Sequence, residues 1–162
     1  MKLRTNRNPV AQETFKALGV TDRHVCEIED LKDAITDGEC EGGEGVYSRM
    51  YPLDQNEVTQ SVIDTKHSLF LTTMIMRNDF YKKLSPEVRA VLKAAALDAA
   101  RKERETTIAD GEEAKARLKA EGVNVHELTK EEIAEFKEKT KQVYDKFEPT
   151  FSPGLIDQIR NA

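Results

Sequence analysis

The sequence has no tryptophan, only two cysteines, five prolines in 162 residues, and no long apolar run. Each scarcity closes a class of protein. Cys26 and Cys40 are too few to staple a disulfide scaffold, and no CxxC pair offers a redox or zinc motif. They read as two buried thiols, with a single disulfide in an oxidising compartment as the alternative. No stretch approaches the roughly 20 apolar residues of a membrane-spanning helix. The opening MKLRTNRNPV is not read as a signal peptide, because no apolar segment follows its basic residues. Positive charge is not in excess: 25 Lys and Arg face 30 Asp and Glu, for a net charge of −5, and no basic tract marks a nucleic-acid footprint. What remains is 38% hydrophobic and 34% charged, the composition of an ordinary globular chain long enough for one domain with its own core.

The first half alternates short elements. KLRT reads as a strand. Asn8 and Pro9 then start a helix carrying Ala11, Phe15 and Leu18 at helical spacing, and Gly19 stops it. RHVCEI reads as a second strand. Ile28, Leu31 and Ile35 mark a second helix ended by Gly38, and ECEGGEGVY reads as a third strand or strand end. This order predicts an α/β fold with a short parallel or mixed sheet and crossover helices. SVIDTKHSLFLTTMIMR, β-branched and apolar without Gly or Pro, reads as one long or two abutting strands partly buried on both faces, with Met74 and Met76 as strand packing.

From about residue 77 the chain turns helical, so two parts of one unit are expected: 1–76, with ligand-facing strand ends, and 77–162, helix-rich and packed on it. Ser85 and Pro86 open a long helix running to about Gly122, with a clear apolar stripe early (Val88, Val91, Leu92, Ala95) and a thin one later. Gly111 predicts a bend or break within it. VNVHEL is another short strand. Thr129 and Glu132 form a capping-box signature, Phe136, Tyr144 and Phe147 read as core, and Ser152 and Pro153 open a last short helix.

The glycine- and glutamate-rich stretch ITDGECEGGEGVYSRM invites three readings. A phosphate loop fails: a Walker loop needs Lys-Ser or Lys-Thr where Val46 and Tyr47 stand, a dinucleotide loop needs a third glycine where Ser48 stands, and three glutamates would repel a pyrophosphate. A calcium loop fails because Ser48 also occupies the place of its closing glutamate. The surviving reading is a strand end lining a cleft, where glycines let the backbone approach a ligand or a neighbouring strand. Glu39 and Glu41 read as solvated. A paired-carboxylate hydrolase drawn from Glu39, Glu41 and Glu44 lacks two acids in contrasting environments, and Asp64 with His67 lacks a nucleophile, so no catalytic residue is expected. His24 and His126 have no partners at metal spacing; neither a metal nor a cofactor is expected.

Four segments in order, KLRTNRNPVAQETFKALGV, ITDGECEGGEG, TKHSLFLTTMIMRNDFYKKLSPE and LKAEGVNVHEL, resemble the substrate-binding subunits of TRAP (tripartite ATP-independent periplasmic) transporters of the dicarboxylate-receptor type. That family runs through K-I-R-T, F-K-x-L-G-A, A-L-x-x-G-x-V-D-G-Q-E-N, T-x-H and K-L-S-P-E in the same order. The resemblance covers nearly the whole chain and corresponds to the second half of such a receptor, which implies a missing N-terminal lobe. It implies one α/β lobe of a periplasmic solute-binding fold, an organic acid anion as ligand, membrane permease subunits as partners and a periplasmic location. It also implies an apolar surface along the long helix that would meet the missing lobe and, uncovered, could self-associate.

The resemblance places the ligand carboxylate on Arg4, in the K-I-R position. Arginine suits that role because its planar fork pairs with a carboxylate through two hydrogen bonds and keeps its charge. It maps Glu44 onto the glutamate of Q-E-N and Gly45 onto its asparagine, whose amide is therefore absent. Ile28 stands where an aromatic is common, Tyr47 offers a hydroxyl or ring nearby, and His67 matches the histidine of T-x-H. These departures imply a wider pocket or a bulkier acid. A truncated, non-binding interaction module is the alternative.

Overall fold

A computed structural model describes residues 1–161. Its first three strands, β1 (Lys2–Thr5), β2 (Asp22–Val25) and β3 (Gly42–Gly43), form a parallel sheet in the order β2-β1-β3. Between them run α1 (Pro9–Ala17) and α2 (Leu31–Thr36), the latter preceded by a 3-10 turn at Ile28–Asp30. The local signals act as read. The Asn8 side chain accepts from the amides of Val10 and Ala11, and Gly19 and Gly38 close the two helices at φ +94° and +74°, a region other residues enter at a steric cost. The third strand is shorter than expected: only Gly42 and Gly43 pair with Leu3 and Arg4, and Tyr47 already lies in the short helix α3 (Tyr47–Met50).

A second parallel sheet holds β4 (Ser61–Asp64) and β5 (Asn124–Glu127). Here the expectation for SVIDTKHSLFLTTMIMR is corrected. Only its first four residues are a strand; Thr65–Arg77 carries neither helix nor ladder, and Leu69, Leu71, Met74 and Met76 are exposed, Ile75 at 90%. β-propensity expresses how well a side chain fits a pleated, half-buried surface, and this stretch pairs with no described strand.

The short α4 (Asn78–Lys83) leads to α5 (Pro86–Ala120), a single α-helix about 50 Å long. Gly111 does not break it; the helix runs through, and nothing stands near the missing Cβ. Its burial is the reverse of its pattern. Ala114 and Leu118 near the C-terminus are buried, while Val88, Val91, Leu97 and Ile108 are exposed. The helix is anchored at one end, where it packs on α3 and β5, and projects at the other.

The capping box at Thr129 and Glu132 starts α6 (Lys130–Phe147), which packs on α1. Of its expected core face, Val143 is buried, Phe136 and Phe147 are half-buried, and Tyr144 is exposed, because that face borders an open groove. The last helix, α7 (Leu155–Arg160), opens after Gly154 at φ +75° rather than at Ser152. The clearest core cluster, Leu31, Ala34 and Cys40 with Cys26, Ile28 and Ile35 against it, lies beneath the first sheet's α2 side. Both cysteines are free thiols, and burial pushes the Cys40 thiol up from its ordinary value. No described helix is long and apolar enough to cross a membrane.

Candidate functional site

In a parallel sheet of order 2-1-3, the crossovers from β1 leave toward β2 while β3 lies on the other side. The C-terminal ends of β1 and β3 therefore flank a crevice, the usual place for a ligand in such sheets. Arg4 and Glu44 stand at that crevice, Arg4 near the end of β1 and Glu44 just past β3. Arg4 is only 4% exposed. Its Nε donates to the Cys26 carbonyl at 2.9 Å, and its Nη1 reaches the Glu44 carbonyl at 3.5 Å. The guanidinium is thus fixed across the ends of all three strands, and no described residue takes a hydrogen bond from Nη2. The Nη1–Nη2 edge is the one left to meet a carboxylate, since the Nε side is committed.

Glu44 folds back over the same loop. Its Oε1 accepts from the Asn6 amide at 3.3 Å, and its Oε2 lies 3.2 Å from His67 Nε2. Burial pushes the carboxyl up, but the His67 hydrogen bond, the Asn6 amide and the charges of His67 and Arg4 outweigh it, and Glu44 titrates below the ordinary carboxylate range. His67 is held in turn by Thr65 Oγ1, 2.6 Å from Nδ1, and by the edge of the Phe15 ring at 5.3 Å between centroids. So the structure brings Arg4, Glu44 and His67 into one network. Asn6, which no pattern singled out, completes it with a backbone amide.

Ile28 and Gly45 also meet. A Cβ at Gly45 would lie 3.8 Å from Ile28 Cδ1 and 3.7 Å from Gln55 Oε1, ordinary contacts at an ordinary φ. Gly45 is therefore not required by the backbone, and a Cβ there would fit. The glycine that packing does demand is Gly43, whose Cβ would fall 2.7 and 3.0 Å from the Leu31 methyls and 3.2 Å from Arg4 Cβ. Gln55, buried at 3% exposure in a 3-10 turn at Gln55–Glu57, was not legible in the sequence; its Nε2 donates to the Ile28 carbonyl at 2.9 Å.

Tyr47 does not join this group. Its ring lies under Lys115, with Nζ 5.9 Å from the centroid, and its buried hydroxyl has no partner among the described residues. Burial, then the Asp64 charge, raise its pKa. It belongs to the ends of β4 and β5, where Lys115 Nζ bridges Asp64 at 2.8 Å and Glu127 at 3.0 Å, and Lys119 adds a second contact to Glu127. Glu39 and Glu41 are apart from the site as well: Glu39 pairs with His24 at 3.2 Å, and Glu41 accepts from the Lys2 amide near the other end of β1. Among the described residues no group of three His, Cys, Asp or Glu is placed to hold a metal ion.

A separate groove of about 570 Å³ runs between α1, α6 and α7, lined largely by apolar residues such as Leu18, Phe136, Val143 and Phe147. His67 forms part of its wall, but Arg4 and Glu44 do not.

Known proteins share the sequence pattern and the fold. Residues 1–150 match the family described as DctP, bacterial extracellular solute-binding protein, family 7. The ectoine-binding periplasmic protein TeaA of Halomonas elongata is 34% identical over 173 aligned positions, spanning 98% of this chain and 48% of that protein. The solved structure of the periplasmic ectoine-binding protein from the same organism's TeaABC TRAP transporter superposes with a TM-score of 0.84 at 30% identity, over 94% of this chain and 49% of that one. A TRAP periplasmic solute-binding protein from Sulfurospirillum deleyianum, with bound succinate, gives 0.83 at 26% identity, over 98% and 53%. The chain spans about half the length of the relatives it matches, and its fold is the α/β, helix-rich form of one lobe of theirs. These are solute-binding proteins rather than enzymes, and this chain belongs to the same family, the bacterial extracellular solute-binding proteins of family 7.

Proposed function

We propose that this chain is the ligand-contacting lobe of an extracytoplasmic receptor that binds an organic acid anion and delivers it to a TRAP-type membrane permease. The observation that carries the reading is Arg4: a buried, permanently charged guanidinium, clamped by the Cys26 and Glu44 carbonyls at the β1/β3 crevice, with Nη2 unengaged. Two relatives support the ligand class. One is named for ectoine and another holds succinate, and both molecules carry a carboxylate. Residues 1–76 supply the site, and 77–162 back it through α3 on α5 and α1 on α6.

The same reading gives this lobe a partner body. The extended stretch 65–77 and the projecting part of α5 present Leu69, Leu71, Ile75, Val91 and Ile108 to solvent, exposed large apolar side chains of the kind that mark interaction surfaces. We assign these surfaces to the other lobe of the receptor, the half that the relatives carry and this chain does not span. Without that body they make the chain prone to self-association.

The test is thermal stabilisation, of this chain and of the chain combined with a relative's other lobe, against dicarboxylates, 2-oxo acids, sugar acids and ectoine. A ligand that binds only the native state raises Tm by mass action. A stabilising acid whose effect disappears in Arg4→Ala is the expected result. An effect that survives Arg4→Ala removes Arg4 from the site. A flat panel with a well-folded sample favours the second reading, an interaction module, for which the exposed apolar segment is the supporting observation.

A further inference from the structure

We propose that Gln55 sets selectivity at this site, accepting a hydrogen bond from a hydroxyl or N–H that the ligand carries beside its carboxylate. The proposal rests on the carboxylate reading of Arg4. Gln55 is 3% exposed, and its amide orientation is fixed because Nε2 donates to the Ile28 carbonyl at 2.9 Å. Oε1 is therefore the other end, and no described residue donates to it. Unlike the Tyr47 hydroxyl, Oε1 is not sealed from solvent, so a donor from outside the chain can reach it.

Its position says which donor. Oε1 lies 3.7 Å from where a Gly45 Cβ would stand, and Gly45 has none. The preceding residue is Glu44, whose carbonyl meets Arg4 Nη1. Arg4 and Gln55 thus clamp two nearby carbonyls of the β2–α2 connection, Cys26 and Ile28, and each retains one unengaged group beside the Glu44–Gly45 backbone. One is a cationic donor and the other a neutral acceptor. A 2-hydroxy acid, a sugar acid or a cyclic amidine acid answers both; a plain dicarboxylate answers only the first.

Succinate and malate differ by one hydroxyl and form the probe pair. Each is titrated into the isotope-labelled 162-residue chain while the Arg4 Nε–H and Gln55 side-chain NH₂ resonances are followed. Malate is expected to bind about 3- to 10-fold more tightly than succinate, the worth of one neutral hydrogen bond, and to shift the Gln55 amide. Gly45→Ala, which adds a methyl beside Oε1 with no backbone strain, is expected to collapse that ratio. Gln55→Met should do the same. The ratio is the readout, so a general loss of affinity does not count as support. If both acids shift Arg4 with equal affinity, or if the ratio persists in Gly45→Ala, Gln55 does not select and the receptor reading stands without it. If neither acid shifts Arg4, the carboxylate reading falls and this proposal with it.

Discussion

Gly43→Ala tests the packing that holds Arg4 in place. Gly43 pairs with Arg4 in the β1/β3 ladder, and its α-carbon faces Leu31. An added Cβ would stand 2.7 Å from one Leu31 methyl, closer than real Cβ atoms approach a neighbour. Leu31 is itself buried against Ala34 and Cys40, so its methyls have no free direction in which to retreat. Either Leu31 leaves its rotamer or β3 moves off β1. Overpacking of this kind costs about 1–3 kcal/mol. Against it stands about 0.4–1 kcal/mol gained by restricting the unfolded chain. The net is a loss of about 1–2 kcal/mol. At about 2–4 °C per kcal/mol for a domain of this size, Tm should fall by roughly 2–8 °C.

Gly42→Ala is the matched control. Its Cβ would meet only Leu3 Cδ1 at 3.6 Å, an ordinary contact, so the unfolded-state gain should leave it neutral or slightly stabilised. The comparison is made by thermal and urea unfolding of the three proteins. A second readout follows from the third contact, 3.2 Å to Arg4 Cβ: ligand affinity should fall in Gly43→Ala and not in Gly42→Ala. Equal melting of Gly43→Ala and Gly42→Ala would refute the close approach, and with it the claim that glycine is needed there to seat the arginine.

Arg4→Lys keeps the charge but loses the planar fork and the Nε bond to the Cys26 carbonyl; calorimetric titration should show weaker acid binding by tenfold or more, since the two side chains are not equivalent at a clamped carboxylate site. Glu44 titrates below the ordinary carboxylate range, so its ionised form stabilises the fold above that range and the contribution disappears as pH falls through its folded value. Urea midpoints of the chain and of Glu44→Gln should therefore differ at pH 7 and converge in acid; a constant gap would contradict the His67–Glu44–Asn6 network. Lys115→Met leaves the nearly buried Asp64 carboxylate without its cation and should cost about 1–3 kcal/mol, most of it recovered in Asp64→Leu/Lys115→Met, whereas additive costs in that double-mutant cycle would show the pair to be inert. Leu69→Lys with Ile75→Lys should reduce self-association in analytical ultracentrifugation; unchanged sedimentation would remove the 65–77 stretch from the sticky surface.

What was legible in the sequence was what a few neighbouring residues decide. Asn8-Pro9, Ser85-Pro86 and Thr129 with Glu132 start helices where the pattern put them, because a cap is satisfied within three residues. The parallel β1 and β2 could be read because a strand, a capped helix and a second strand leave little topological choice. The meeting of Arg4, Glu44 and His67 came from the order of motifs, not from periodicity. Gln55 escaped because its burial depends on a turn in which Asp54 takes a left-handed φ of +51°, for which a lone Asp in a polar loop is a weak signal. Tyr47 lies apart from Arg4 because a short helix, rather than a continued strand, turns its ring toward Lys115.

The largest departures share one physical cause. The stripe Val88, Val91, Leu92, Ala95 is a sound core pattern, and SLFLTTMIM is a sound buried-strand pattern, yet the structure leaves SLFLTTMIM exposed and of the stripe half-buries only Leu92, the helix surface being the one the family resemblance implied. A periodic apolar face states that a surface must be covered; it does not state by what. In α5 the residues that do find cover, Ala114 and Leu118, are those facing α3 and β5, elements within this chain. The stronger stripe, some seven turns earlier, meets little of this chain: Arg89 beside it lies over the Tyr81 ring and Leu92 is half-buried, while Val88 and Val91 stay exposed. Hydrophobic patterning and observed burial therefore disagree in one continuous region, from Leu69 to Ile108, and agree better on either side of it. A disagreement so confined is what an uncovered interface would produce, and it agrees with the proposal that another body covers that region.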